Sequence, residues 1–345
     1  MSKPLIPLPP HPAALGWPTD SWPRAELADA SRHGIEAAAD RIFDLTPAEG
    51  CTFALLIVKS GRLVYERYAH GSSAFYLQYS WSMAKSITHA LVGILVRDRR
   101  IDIHAPARVP EWQTAGDPRR EITVDQLLRM SSGLEFREDY VDGQVSDVIP
   151  MLVFDGRHDT AAYAAAKPLA HAPGTFWSYS SGTTNIVCRL LRDLVGGPTE
   201  MLAFMRRELF EPIGMTTPVP KFDGAGTFVG SSYCLATPQD FARFGYLYLR
   251  DGSWDGRRIL PEGWVDYART PTYRSDIEAY GAHWWLSPTK PAWFWASGYD
   301  GQRILIAPDR DVLIVRCGRT PAAEAPYVWQ QVEAICSTLG SNIGV

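Results

Sequence analysis

The 345-residue chain has no stretch of the roughly 18 consecutive apolar residues that a membrane-spanning helix needs. It lacks the Gly-x-Ser-x-Gly elbow of the commonest Ser-His-Asp hydrolases. It also lacks His-Glu-x-x-His, or any comparable cluster that would hold a catalytic metal. Cysteine is scarce: Cys51, Cys188, Cys234, Cys317 and Cys336 are odd in number and widely spread. With no Cys-x-x-Cys pair among them, they read as buried free thiols rather than a zinc site or a disulfide framework. Excess charge of one sign is missing too. The formal net charge is -4, and the longest basic run is only Arg97-Asp98-Arg99-Arg100. That argues against a nucleic-acid partner and against a polybasic membrane anchor. Prolines at 4, 7, 9 and 10 interrupt every apolar core a secretion signal could use, so the expected location is the cytoplasm.

What the chain does have is enough length for one large or two modest domains with a real core. Residues 1–24, rich in Pro and Trp, read as an extended arm on the surface. Ala25 to Leu45 places Leu27, Ile35, Ala38, Ile42 and Phe43 near one helical face. Cys51–Val58 and Leu63–Tyr68, joined across Gly61, predict a hairpin. Helices are expected from Ser82 to about Val96, after Thr123 as N-cap, from about Thr183 to the Gly196-Gly197 stop, and after Thr237-Pro238. Short β-prone runs return at Trp293–Ala296, Arg303–Ala307 and Val312–Arg316, with a turn at 308–311 and a last helix at Tyr327–Leu339. The expected fold class is therefore α+β: an antiparallel sheet flanked by helices and built from both chain ends, with a mainly helical insertion. The expected division is a sheet domain from residues 25–81 and 215–345, and a helical domain from 82–214.

Three segments carry chemistry. In Ser82-Met83-Ala84-Lys85, a serine at a helix N-terminus sits where backbone N–H groups favour a developing anion. A lysine three residues on shares its face, and once desolvated it can take the serine proton. Ser-x-x-Lys alone is a weak signal, and Ser287-Pro288-Thr289-Lys290 matches it as well. That copy carries Pro288 and is followed by Pro291, with no helical run after it, so it reads as a turn. The second segment is Tyr179-Ser180-Ser181, ahead of a helix. Tyr179 can shuttle a proton if a nearby lysine lowers its pKa, and Ser181 can extend the relay. In the third, Ala296-Ser297-Gly298, small residues let substrate approach a strand edge whose N–H could serve an oxyanion hole. Each segment also has a plain structural reading: a capped helix, a packed tyrosine and a glycine hairpin.

Together and in this order, the three segments resemble the penicillin-recognising serine hydrolases: class C β-lactamases, DD-peptidases and related esterases. Leu127–Leu134 and Phe241–Gly245 look like that family too. The resemblance spans residues 50 to 340 or so and implies a β-lactamase/transpeptidase-like fold. It implies Ser82 as nucleophile, Lys85 as base and Tyr179 as proton relay, with no cofactor. Within the family, Ser82–Ser86, Glu138–Asp142 and Gly301-Gln302 are similar to the 6-aminohexanoate-oligomer hydrolases. That likeness implies Tyr140 as a residue that closes over substrate and hydrogen-bonds the scissile amide. It also implies the backbone N–H groups of Ser82 and Tyr299 as the oxyanion hole.

Two departures bear on substrate. Ala296 stands where β-lactamases and DD-peptidases usually carry Lys or His, and Ser181 replaces Asn. Both favour a small ester or linear amide as the partner molecule, with β-lactam or D-Ala-D-Ala peptide second. A histidine triad using His89 or His171 is the enzymatic rival. A non-catalytic penicillin-binding-like protein is the rival of another class, and it would be expected to have lost Ser82, Lys85 or Tyr179. Of Trp177, Trp284, Trp285, Trp293 and Trp295, only a subset should touch substrate. The oligomeric state is not legible.

Overall fold

The computed structural model describes residues 4–27, 29–140, 145–272 and 280–340. Its centre is a six-stranded antiparallel sheet with strands β1 (Cys51–Lys59), β2 (Arg62–Tyr68), β3 (Trp285–Leu286), β4 (Phe294–Gly298), β5 (Gln302–Ala307) and β6 (Val312–Arg319). They lie in the order β2-β1-β6-β5-β4-β3. The first and last long strands are neighbours, with Leu56 opposite Val315 and Ile57 opposite Ile314.

Period-2 alternation explains why both faces of this sheet are covered. Leu55, Ile57, Leu305 and Ile314 point to one face, where they meet Ile35 and Ile42 of α1 (Asp29–Phe43). Val332 and Ile335 of the C-terminal helix Ala325–Thr338 complete that layer. Their neighbours Leu56, Val58, Ile304, Ile306, Leu313 and Val315 point the other way, into a larger apolar cluster. That cluster runs without a break through α2 (Ala84–Arg97) and the helices around it.

Local signals account for the helix ends. Thr123 caps the short helix α3 (Val124–Leu128) through a capping box with Gln126. Ser180 caps α4 (Ser181–Val195) by accepting from Thr183 N–H, and Gly196 ends it in the left-handed conformation at φ 113°. Thr237 accepts from the Asp240 N–H at the start of α5 (Pro238–Leu249), with proline at the first helical position. The C-terminal helix, α6, begins two residues before its expected start.

The N-terminal arm does more than lie on the surface. Trp22 is buried, and the Trp17 and His11 rings stack on each other at 4.0 Å, both edge-on to Tyr246. Arg243 donates to the Pro18 carbonyl and Trp254 to the Thr19 hydroxyl. The tryptophans at 17 and 22 are packing residues, which a Pro-rich composition hides. Among the described residues, no helix is long and apolar enough to cross a membrane.

Candidate active site

Ser82 sits in a single 3-10 turn, Trp81–Met83, which runs directly into α2. Trp81 takes φ +42°, a left-handed conformation that costs a bulky residue free energy and persists only where packing enforces it. The enforcement is visible: the Trp81 ring contacts Tyr79, Tyr233 and Tyr299. Below it, Ile87, Leu91, Ile94 and Leu95 are buried, so the serine stands on a rigid element.

Lys85, on the first turn of α2, is 1% exposed. Its Nζ lies 3.1 Å from Ser82 Oγ, 3.0 Å from Ser181 Oγ and 2.8 Å from the Ser231 carbonyl oxygen. Burial lowers its pKa to about 8, against an opposing pull from the Glu138 charge. The amine is therefore far closer to neutrality near pH 8 than an ordinary lysine.

Tyr179 comes from the loop before α4. It lines the same pocket as Ser82, and its ring lies 4.7 Å from Lys85 Nζ. The expectation that a lysine would lower its pKa is not met. Burial raises it well above the ordinary value, and the Glu138 charge raises it further. Tyr179 is therefore held as a neutral phenol, able to donate a proton but not to rest as a tyrosinate.

The third wall is the end of β4 and the turn after it. Ser297 and Gly298 line the same pocket as Ser82, Tyr179, Tyr140 and Tyr299, a cavity of about 290 Å³. Ala296 faces the other way, into the apolar core. The turn carrying Tyr299 is held from beneath by the fully buried Arg316. Its guanidinium donates to the carbonyls of Asp300 and Gly301 on one side and of Cys51 on the other. Gln302 adds a two-way side-chain bridge to the Gly318 backbone.

Tyr140 also reaches the pocket, with its ring 5.3 Å from that of Tyr299. Its hydroxyl donates to Glu138 Oε1 at 2.8 Å. Val141 and Asp142, in the same segment, lie outside the described residues. Of the five tryptophans named from sequence, Trp285 lines the pocket. Trp284 and Trp293 are core, Trp295 packs on Trp329, and Trp177 stands behind Trp285 and Tyr280.

The rival residues are occupied elsewhere. His89 is buried with Nδ1 2.7 Å from the Tyr248 hydroxyl, and His171 stacks on Phe176 at 4.0 Å. At the second Ser-x-x-Lys, the Lys290 N–H donates to Ser287 Oγ, as a turn requires. Among the described residues, no group of three or more His, Cys, Asp or Glu side chains could hold a metal ion.

Four participants carried no signal in the linear motifs. Glu138 accepts from Ser181 Oγ at 2.5 Å and from Ser181 N–H at 2.8 Å. Ser231 supplies a carbonyl to Lys85. His283 holds the Lys85 carbonyl through Nδ1 at 2.9 Å, and burial drives its own pKa down to about 3, so it stays neutral. Arg303, opposite Ser297 on β5, donates to the Ser297 hydroxyl. Of these four, only Glu138 belongs to a stretch that carries the family resemblance, Glu138–Asp142.

The family model for β-lactamases matches residues 50–326. The chain belongs to the β-lactamase family. A relative, 6-aminohexanoate-dimer hydrolase of Paenarthrobacter ureafaciens, is 25% identical over 321 residues, covering 87% of this chain and 81% of that protein. A Bacillus anthracis protein provisionally named a 6-aminohexanoate-dimer hydrolase superposes with a TM-score of 0.76 at 23% identity, covering 92% of this chain and 87% of the other. A family VIII carboxylesterase superposes with a TM-score of 0.68 at 15% identity, covering 90% and 99%. At those identities the two structures establish the fold, which is that of the β-lactamase/transpeptidase group.

Proposed function

We propose that the protein is a serine hydrolase acting through an acyl-enzyme on a small ester or linear amide. The observation that carries this reading is the buried Lys85 amine 3.1 Å from the Ser82 hydroxyl, at the mouth of the pocket that Tyr179 and Gly298 also line. Ser82 Oγ attacks the substrate carbonyl carbon while neutral Lys85 takes its proton. The oxyanion that forms is met by the backbone N–H groups of Ser82 and Tyr299. Tyr179, protonated at rest, gives its phenolic proton to the departing alcohol or amine and is reprotonated from Lys85. Water then attacks the acyl-enzyme with the same groups working in reverse, returning Ser82.

Two features favour esters and linear amides over β-lactams. Ala296 puts no cation on the strand at the first position of the third motif. The chain is also similar to a 6-aminohexanoate-dimer hydrolase over most of its length. β-Lactams remain the second substrate class because the family takes its name from them.

The test is one panel assayed side by side with wild type and Ser82→Ala: p-nitrophenyl esters, nitrocefin, a D-Ala-D-Ala peptide and 6-aminohexanoate dimer. Turnover of esters or the dimer by wild type alone is the expected result. Full ester turnover by Ser82→Ala would overturn the nucleophile, and nitrocefin outrunning the esters would overturn the substrate class.

A further inference from the structure

The geometry points to Glu138 as a positioning residue: by taking the hydroxyl proton of Ser181, it leaves Ser82, among the described residues, as the one partner of Lys85 able to donate to its neutral amine. This rests on the reading of Lys85 as the base for Ser82. It goes further by saying how the amine's lone pair is aimed.

The argument is a count of donors and acceptors. Among the described residues, Lys85 Nζ has three hydrogen-bond partners, at Ser82 Oγ, Ser181 Oγ and the Ser231 carbonyl. A carbonyl can only accept. A serine hydroxyl has one proton, and that of Ser181 goes to Glu138 Oε1 at 2.5 Å. Toward Lys85, Ser181 is therefore an acceptor only. A neutral amine has two N–H groups, and these two obligate acceptors use both. The remaining lone pair faces Ser82, whose hydroxyl must donate into it. That is the polarity a general base needs. Without the carboxylate, Ser181 is free to rotate its proton onto Lys85 and compete with the nucleophile for the lone pair.

Glu138 is itself fixed for this task. Its second oxygen accepts the Ser181 backbone N–H at 2.8 Å, and Tyr140 donates to the first. The other titratable groups facing this cluster are Tyr179 from the loop before α4, Cys188 on α4, Tyr280, and His283 beneath the Lys85 carbonyl. Arg303 from β5 acts on Tyr179. Among these, Glu138 is the carboxylate acting on Lys85, and its charge raises the amine's pKa.

The test uses the full chain, with kcat and KM for p-nitrophenyl acetate measured across pH. In Glu138→Gln, the amide NH2 can donate to Ser181 and turn the hydroxyl toward Lys85. The expected result is about a 10-fold or larger loss of kcat with KM within about 2-fold, the scale of a general-base defect. The acidic limb should move to lower pH, because the charge favouring the ammonium is gone. Glu138→Asp, which keeps the charge and both acceptor oxygens, should recover part of the loss. In a Ser181→Ala background, where no hydroxyl remains to turn, adding Glu138→Gln should cost less than about 2-fold. Losses that multiply in the double variant overturn the proposal, as does a Glu138→Gln enzyme with unchanged kcat and acidic limb. Should Glu138→Gln not fold, Ser181→Ala alone decides, and an unchanged kcat there overturns it. None of these outcomes touches Ser82, whose role stands or falls on Ser82→Ala.

Discussion

A Cβ placed on Gly298 would stand 2.3 Å from the carbonyl oxygen of Ser80. The end of β4 is thus pressed against the turn that carries Ser82, and the missing side chain at Gly298 lets the two approach this closely. Gly298→Ala must separate the two. Overpacking of this kind costs about 1–3 kcal/mol of stability. Misplacing a reacting group by ~1 Å can cost on the order of 10²-fold in rate. The expected variant is folded, melts somewhat lower and has lost most of its kcat on p-nitrophenyl acetate. A Gly298→Ala enzyme with wild-type kcat would show that this contact does not set the site.

The pH profile should belong to Lys85. Burial lowers its pKa from the ordinary lysine value to about 8, and only the neutral amine can accept a proton. kcat/KM therefore rises with pH and reaches half its plateau near pH 8. The opposite limb, from ionisation of Tyr179, lies well above pH 10 because burial raises that phenol. His283 cannot supply the acidic limb, since its pKa is pushed down to about 3. Stability carries the same sign. Folding depresses the affinity of Lys85 for its proton, so the unfolded chain binds more protons between about pH 8 and the ordinary lysine range. The Lys85 contribution to stability then grows as pH rises through that window. A limb near pH 6.5 that vanishes in His283→Gln would rule out this assignment.

The linear order of residues made much of this legible. Ser82 and Lys85 are three apart on one helical turn, and the capping signals at Thr123 and Thr237 are local chemistry, so spacing sufficed. The sheet was readable because Leu55–Val58 and Leu313–Val315 are β-prone apolar runs, and each proved to be buried on both faces. The Ser287–Lys290 copy reads as a turn because Pro288 lies inside it and Pro291 follows it. Glu138, Ser231, His283 and Arg303 were not readable in this way. They reach Lys85, Ser181 or Ser297 from segments up to 198 residues away, through contacts that no period or cap encodes. The charge state of Tyr179 was hidden for the same reason. It depends on how much protein covers the hydroxyl, and a neighbouring lysine on the helix says nothing of that.

Tyr179 and Tyr140 should separate by substrate. Tyr179→Phe removes the proton donor next to Ser82 and should lower kcat by about 10²-fold or more on every substrate turned over. Tyr140→Phe removes a hydrogen bond to Glu138 and a pocket-wall hydroxyl. On an activated ester, whose leaving group needs little help, its effect should stay within several-fold. On a linear amide, where Tyr140 would hydrogen-bond the scissile group, the loss should be larger. Steady-state kinetics of both variants on p-nitrophenyl acetate and on 6-aminohexanoate dimer decide it. Equal losses on both substrates would count against Tyr140 having an amide-specific role.

Arg303 should set the preference for charge in the acyl or leaving group. It lines the pocket together with Asp300, and its Nη1 donates to Ser297 Oγ at 2.5 Å. The stem of β5 and the Trp329 ring, 5.3 Å from the guanidinium carbon, hold it in place. A cation there, on the strand next to the third motif, can take over the task that Ala296 has no charge to perform. A hydrogen bond from a charged donor contributes about 1.5–3 kcal/mol, which is about 10-fold or more in affinity. Arg303→Met should therefore raise KM by about 10-fold for a substrate ending in a carboxylate while leaving kcat nearly unchanged, as loss of uniform binding does. KM for neutral p-nitrophenyl acetate should move by less than about 2-fold. Equal changes for the two substrates would mean that Arg303 shapes the wall without reading charge.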